Sequence, residues 1–514
     1  MSVDPLIREL FMHRFENLVT EMGTMLERTA RSTNVKERLD FSCALLNEAG
    51  ELVVNAPHIP VHLGSLGLCV REVRAWCDML PGDVVVTNHP AFGGSHLPDV
   101  TVITPVHGAD SNLIGYVASR AHHAEIGGIC PGSMPPNARS LREEGVVIEP
   151  AYLIRSGRPR WNALAKRLRE PPYPSRAVDD NLADLRAAVA ANHHGAMALR
   201  RLAHGHGVSV VTRMMHALTD LAEVYMRDAL AARQDGAYAS VERLDDGSAL
   251  AVNVQIDGDR AAVDFEGSAD VHAGSLNATP AVVRSVILYV LRLMIDKPLP
   301  LNEGLLRPVD IRIPRGILSP DFGSAEAPGV VGGNVETSQR LANALIRALG
   351  LAACSQGTMN NVLFGDDHLG YYETIGGGCG AGPEFDGASA IHSHMTNTRL
   401  TDPEVMEHRY PVRIERHAIR RGSGGQGRYR GGDGIVRAIR FLRTMRVSIL
   451  SQHRVTGPCG AFGGRAGFPG CQRIERASGK VEPLRSIDGA DAASGDLLVV
   501  ETPGGGGWGS PSCP

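Results

Sequence analysis

The sequence predicts an α+β fold, multi-domain, with mixed and antiparallel sheets, helical insertions and a glycine-rich β region towards its C-terminal end. Three observations lead there. The chain has 514 residues of ordinary globular composition, 43% hydrophobic and 21% charged, which excludes wholesale disorder and repetitive fibres. Helical periodicities and β-branched runs are mixed along it. Its texture then changes, with 13 glycines between Gly422 and Gly470.

The elements follow in order. Asp4-Pro5, a cap with proline at the first helical position, opens an amphipathic helix carried by Leu6, Leu10, Phe11, Leu18, Met22, Met25 and Leu26. Residues 40–46 and 51–54 flank the polar turn Asn47-Glu48-Ala49-Gly50 and read as a hairpin. Three β-branched runs follow, at 83–87, 100–105 and 113–119, joined by polar, glycine-rich connections. Residues 180–233 turn helical, with Gly195, Gly205 and Gly207 expected to divide them. Strands over 238–270 fold around Asp245-Asp246-Gly247 and Asp257-Gly258-Asp259, and helices resume at 281–296 and from Asn334 to near Gly350. In the tail, residues 435–441 and 446–450 read as strands among glycine-rich loops. These shifts divide the chain into an N-terminal α+β region over 1–178, a helical segment over 179–235, an α+β middle over 236–355 and a glycine-rich β region over 356–514.

A formal net charge of −4 and a pI of about 6.6 supply no overall attraction for phosphate backbones or anionic membranes, so neither nucleic acid nor membrane is expected as a partner. Only four of the 52 basic residues are lysines, which we read as genome bias. Nine scattered cysteines, never spaced Cys-x-x-Cys, fit a reducing compartment. The start MSVDPLIRELF lacks the pattern of a secretory signal, and the most apolar stretch, 281–295, is interrupted by Arg284 and Arg292. A cytoplasmic location is expected.

The densest chemistry is Asn88-His89-Pro90, His96-Leu97-Pro98-Asp99 and Arg120-Ala121-His122-His123-Ala124-Glu125. If the three strands form an antiparallel meander, the end of the first, the start of the second and the end of the third share one sheet edge, and His96, Asp99 and His122 meet. Two imidazoles and a carboxylate suit a divalent ion such as Mn²⁺, Zn²⁺ or Fe²⁺ with a position left for water. A lone histidine at a strand end is otherwise a hydrogen-bonded cap. Asp40 is a candidate fourth ligand or an N-terminal strand cap. His58 and His62 are four apart, yet Pro57 and Pro60 forbid the helix that would pair them, so they are left out of the ligand set as loop or substrate-contact residues. His193, His194, His204, His206 and His216 read as solvated or capping residues, and Gly504 to Gly507 as a structural turn. No Gly-x-x-x-x-Gly-Lys-Ser/Thr and no Gly-x-Ser-x-Gly occurs, so the sequence argues neither for an ATP site of its own nor for a serine nucleophile.

On longer stretches the sequence resembles the hydantoinase B/oxoprolinase family, especially the C-terminal half of 5-oxoprolinases. The carriers are Leu39-Asp-Phe-Ser-Cys-Ala-Leu45, Asn55-Ala-Pro-His-Ile-Pro-Val-His-Leu-Gly64, Gly94-Ser-His-Leu-Pro-Asp-Val-Thr-Val-Ile-Thr-Pro-Val106 and His122-His-Ala-Glu-Ile-Gly-Gly128. Further along come Pro131-Gly-Ser-Met-Pro-Pro136, Gly332-Gly-Asn-Val-Glu-Thr-Ser-Gln-Arg340, His392-Ser-His-Met-Thr-Asn-Thr-Arg399, Arg421-Gly-Ser-Gly-Gly425 and Thr502-Pro-Gly-Gly-Gly-Gly507. The resemblance implies a metal held by His96, Asp99 and His122, completed by Asp40. It also implies a hydantoinase A-type partner subunit that binds ATP and phosphorylates the substrate's oxygen. An unstrained lactam is a poor electrophile, and its phosphorylated imidate has both a leaving group and a carbon open to water activated at the cation.

Two departures stand out. Relatives usually carry Gly-His-His-Ala-Asp where this chain has Ala121-His122-His123-Ala124-Glu125, one methylene longer at the carboxylate. Asn88-His89-Pro90 replaces the wider family's Asn-Asp-Pro and resembles the oxoprolinase branch, which tilts the substrate towards 5-oxoproline over a hydantoin. The expected function is the hydrolytic subunit of an ATP-dependent cyclic amidase. His123 and Glu125 are candidate proton-transfer groups, and Arg120, Asn334 and Arg399 candidates for a substrate carboxylate or phosphate. The alternatives are a subunit of an acetone- or acetophenone-type carboxylase and a non-catalytic scaffold of the complex.

Overall fold

The computed structural model describes residues 4–55, 59–170, 172–324 and 326–511; His58 lies outside them. As the sequence patterns predict, the fold is α+β, with four open and mostly antiparallel sheets among the described residues. The first has seven strands: β1 (Phe41–Asn47), β2 (Leu52–Asn55), β3 (Val84–Thr87), β4 (Asp99–His107), β5 (Leu113–His122), β6 (Ala151–Arg155) and β7 (Arg158–Pro159). They lie in the order β2-β1-β5-β4-β3-β6-β7. Hairpin β1–β2 and the meander β3–β4–β5 are antiparallel, as expected.

Both faces of this sheet are covered, which is why its strands carry few exposed side chains. Leu45, Val102 and Val117 face the helices Pro5–Thr29 and Val178–His206, packing with Phe15, Met22 and Leu185. Their neighbours in the alternation, Ala44, Leu46, Ile103 and Tyr116, face Leu66, Val70 and Val73 of the helix Ser65–Trp76.

The expected breaks in the helical segment come out differently. Val178–His206 runs unbroken through Gly195 and Gly205, and only Gly207, at φ 88°, separates it from the helix Val208–Ala231. Gly195 serves close packing: a Cβ there would lie 2.3 Å from the sulfur of Met22 on the first helix.

The second sheet combines β8 (Gly236–Arg243), β9 (Ala249–Asp257), β10 (Arg260–Asp264) and β11 (Val309–Arg312), the last pair parallel. Helices Pro280–Arg292 and Ser338–Ala348 share its core. A fully buried π-turn, Gly333–Thr337, precedes the second helix. The third sheet contains β12 (Asn361–Gly365) and β13 (Gly370–Glu373) with strands Met445–Leu450 and Ile487–Ala492, and it shares a core with the fourth, which includes Gly434–Phe441 and Leu497–Glu501.

Gly504 to Gly507 form an irregular bonded segment where a turn was expected. Gly505 N–H donates to the carbonyl of Gly432 and Gly506 N–H to that of Cys354. A Cβ on Gly505 would sit 1.8 Å from the Cys379 carbonyl oxygen, so backbone approaches backbone too closely for any side chain.

One buried carboxyl makes stability depend on pH. Glu144 is fully buried, with Oε1 accepting from Val331 N–H at 3.0 Å and Oε2 left without a protein partner. Burial pushes its pKa up to about 8, against the lowering effect of the Val331 and Val330 N–H groups. Because the folded value lies above the unfolded one, the contribution to stability is complete at acid pH and is lost as pH rises towards 8. Glu144→Gln removes that titration. Thermal denaturation is expected to give a smaller fall in midpoint between pH 5 and pH 8 for the variant than for the parent chain, and parallel profiles would contradict this.

Candidate metal centre

The edge of the first sheet assembles the candidate residues. Antiparallel register sets Asp99, the first residue of β4, opposite His122, the last of β5. On the other side of β5, Phe41 pairs with Ala121, which brings Asp40 alongside, and His122 N–H donates to the Asp40 carbonyl at 2.9 Å. His96 comes from the loop before β4, where Asp99 N–H closes a turn onto its carbonyl. One ligand atom from each of His96, Asp99 and His122 lies within 4.8 Å of the others. All three residues are at most 2% exposed.

Asp99 is the hub. Its Oδ1 lies 3.2 Å from His96 Nε2 and 3.3 Å from His122 Nδ1. Adjacent ligands of one cation, each bonded at about 2.1 Å, are separated by about this much. Nδ1 and Nε2 of His96 and Nε2 of His122 are buried without a hydrogen-bond partner; His96 Nε2 is near Asp99 but off the line of a hydrogen bond. An imidazole gives one nitrogen to a given cation, and His96 Nε2, unpaired and 3.2 Å from Asp99 Oδ1, is the one turned to the cluster, so the donor set fits a divalent cation. Burial alone would raise the Asp99 carboxyl, but the His96 and His62 imidazoles and hydrogen bonds from His122 and His62 hold it well below the usual range. Burial lowers the pKa of His122, which favours the neutral imidazole that ligation requires.

The C-terminal sheets close the site. Tyr372 on β13 stacks on His122, with ring centroids 4.7 Å apart and an interplanar angle of 20°. The Arg38 guanidinium lies 4.6 Å from the centre of the same ring and donates to the Tyr372 carbonyl at 2.8 Å. Tyr372 Oη donates to Asn361 Oδ1, and Asn361 Nδ2 to Glu336 Oε1 in the π-turn, so one line of contacts joins the sheet edge to the middle of the chain.

A hydantoinase B/oxoprolinase family profile matches residues 4–511. The chain belongs to the hydantoinase B/oxoprolinase family. It is 44% identical to 5-oxoprolinase 1 of Arabidopsis thaliana over 98% of its own length, and spans about 41% of that protein. Among solved structures it superposes on the ATP-dependent caprolactamase from Pseudomonas jessenii with a TM-score of 0.89 at 26% identity, covering 99% of this chain and 92% of the other. Acetone carboxylase in its nucleotide-free form shares the fold, with a TM-score of 0.88 at 19% identity and coverage of 99% and 76%.

Within this hydantoinase B/oxoprolinase chain the remaining candidates sit as follows. Asp40 approaches the same ring nitrogen of His122 that faces Asp99, its Oδ2 3.9 Å from Nδ1 and 4.0 Å from Arg38 Nη1, just outside the three-residue cluster; burial raises its pKa. His123 turns away to Asn181, whose Nδ2 is 3.1 Å from its Nδ1. Glu125 accepts from Gly127 N–H, Gly132 N–H and Arg176 Nη1, so its carboxylate fastens the following loop. It also lines a polar cleft of about 300 Å³ with Arg31, Asp184 and Arg409. Arg120 is fully buried and donates to Thr101 Oγ1, Ser65 Oγ and the Gly93 carbonyl, thereby holding together the segments that carry His62 and His96. Arg399 is exposed, and its backbone bonds to Arg38. Asn334, in the π-turn, keeps a buried Oδ1 without a partner.

The residue the sequence reading passed over is His62. It sits at the end of a 3₁₀ turn, Pro60–His62, and its Nε2 is 3.2 Å from Asp99 Oδ2. The short turn that Pro60 starts delivers His62 to the cluster. No periodicity signals such a placement.

Proposed function

We propose that this chain is the ring-opening part of an ATP-dependent cyclic amidase, with 5-oxoproline as substrate. One observation carries the reading: a buried cluster of two imidazoles and a carboxylate with unpaired nitrogens, in a chain 44% identical to a 5-oxoprolinase. His96, Asp99 and His122 would hold a divalent cation, with Asp40 as the candidate fourth ligand. When bound, such a cation supplies Lewis acidity for polarising a carbonyl and acidifying water. The chain's own contribution is placement. The β4–β5 register fixes two ligands, and Tyr372 covers the His122 ring against bulk water.

The ATP-binding function is assigned to a hydantoinase A-type partner. This agrees with the chain spanning about two-fifths of the Arabidopsis 5-oxoprolinase, which holds the remainder in one polypeptide. Phosphorylation of the lactam oxygen there would make the ring carbon electrophilic before it meets water here.

The test is co-expression with a hydantoinase A-type subunit, followed by phosphate release and product analysis over 5-oxoproline, a hydantoin, caprolactam, and acetone with labelled bicarbonate. Phosphate release matched by glutamate from 5-oxoproline is expected. Label incorporated from bicarbonate with no ring opening would establish a carboxylase instead, and a metal-replete complex inert on every compound would leave a scaffold.

A further inference from the structure

The two oxygens of Asp99 face different partners. Oδ1 points to the His96 and His122 nitrogens, at 3.2 and 3.3 Å. Oδ2 is 2.5 Å from Ser95 Oγ and 3.2 Å from His62 Nε2. The protons of this second set follow from the neighbours. Ile59 N–H donates to Ser42 Oγ at 3.3 Å, and the Ser42 hydroxyl, 2.9 Å from His62 Nδ1, still has its own proton to give. Nδ1 is then the acceptor of the ring, and Nε2–H is left to donate to Asp99. Ser42, His62, Ser95 and Asp99 are all buried. The turn itself is pinned, since Ser65 Oγ donates to the His62 carbonyl and Arg120 donates to Ser65.

We infer that His62 is a positioning residue: its Nε2–H, together with the Ser95 hydroxyl, occupies Asp99 Oδ2 so that Asp99 presents a single oxygen, Oδ1, to the cation, and His62 is not itself a ligand. The inference rests on the metal-centre reading above. Its physical content is pre-organisation. A carboxylate free to rotate presents either oxygen or both, whereas one held by two donors has its ligand atom fixed before the cation arrives. The sixty-second residue therefore matters through a hydrogen, which a glutamine amide also carries.

The full-length chain, stripped by chelator, is titrated with Mn²⁺ and, separately, with Zn²⁺, and Kd is read by calorimetry while circular dichroism monitors folding. His62→Phe is expected to weaken binding about 10–100-fold, and Ser95→Ala, a smaller change at the same oxygen, in the same direction. His62→Gln is expected to stay within a few-fold of the parent. Unchanged affinity in both His62→Phe and Ser95→Ala overturns the inference, and so does His62→Gln losing the ion as completely as His62→Phe, the result for a ligating imidazole. A parent chain that binds neither ion overturns the metal-centre reading and this inference together, so the two failures are told apart.

Discussion

Removal of either side chain at the centre of the cluster is expected to abolish both metal retention and ring opening. His96→Ala and Asp99→Ala chains, purified from Mn²⁺- or Zn²⁺-supplemented medium, should lose bound ion by elemental analysis, with affinity reduced more than about 100-fold. Loss of several kcal/mol of electrophilic stabilisation corresponds to a drop of about 1000-fold or more in turnover with the ATP-binding partner. Asp99 is the more severe case. Its Oδ1 faces both imidazoles and its Oδ2 holds His62 and Ser95, so alanine removes the oxygen turned to the cluster and leaves His62 and Ser95 without their acceptor. Folded variants that keep their ion and their turnover would falsify the assignment.

The largest effect on stability is expected at Arg437, far from the cluster in sequence but joined to the strand that caps it. Its guanidinium forms a two-pronged ion pair with Glu373, Nε–Oε1 at 2.8 Å and Nη2–Oε2 at 3.0 Å, with both side chains at most 1% exposed. Glu373 closes β13, next to Tyr372, and Tyr371 Oη donates to it as well. Arg437→Ala strands a buried carboxylate and should destabilise the C-terminal sheets by about 3–5 kcal/mol. That corresponds to a fall on the order of 10 °C in the thermal midpoint of the region. Adding Glu373→Gln removes the stranded charge and should restore part of the loss; a double variant no better than the single one would show that packing, not charge, sets the effect.

Much of the first sheet was legible in residue pattern. Val84–Thr87, Asp99–His107 and Leu113–His122 are β-branched runs with polar connections, and short connections between such runs favour antiparallel neighbours. Once that arrangement is assumed, an aspartate beginning one strand and a histidine ending the next must meet. Where the reading departed from the structure, the cause was a distant contact. Gly195 reads as a helix breaker until Met22 is seen packed against it, and Gly504 to Gly507 read as a turn until the backbones of Cys379, Gly432 and Cys354 are found around them. Arg120 reads as a candidate for a substrate carboxylate or phosphate, and its partners, 19 to 55 residues away, use its donors internally.

By itself, then, the sequence determined the α+β class, the strands at the sheet edge and the three residues His96, Asp99 and His122, because side-chain alternation and antiparallel register are local rules that act over a few neighbours. Only the tertiary structure decided that His62 reaches Asp99, that Tyr372 from a strand 250 residues after His122 covers its ring, and that Glu125 and Arg120 spend their hydrogen bonds inside the protein. Those placements depend on how separate sheets pack, and packing is fixed by the summed fit of surfaces rather than by the periodicity of any one segment.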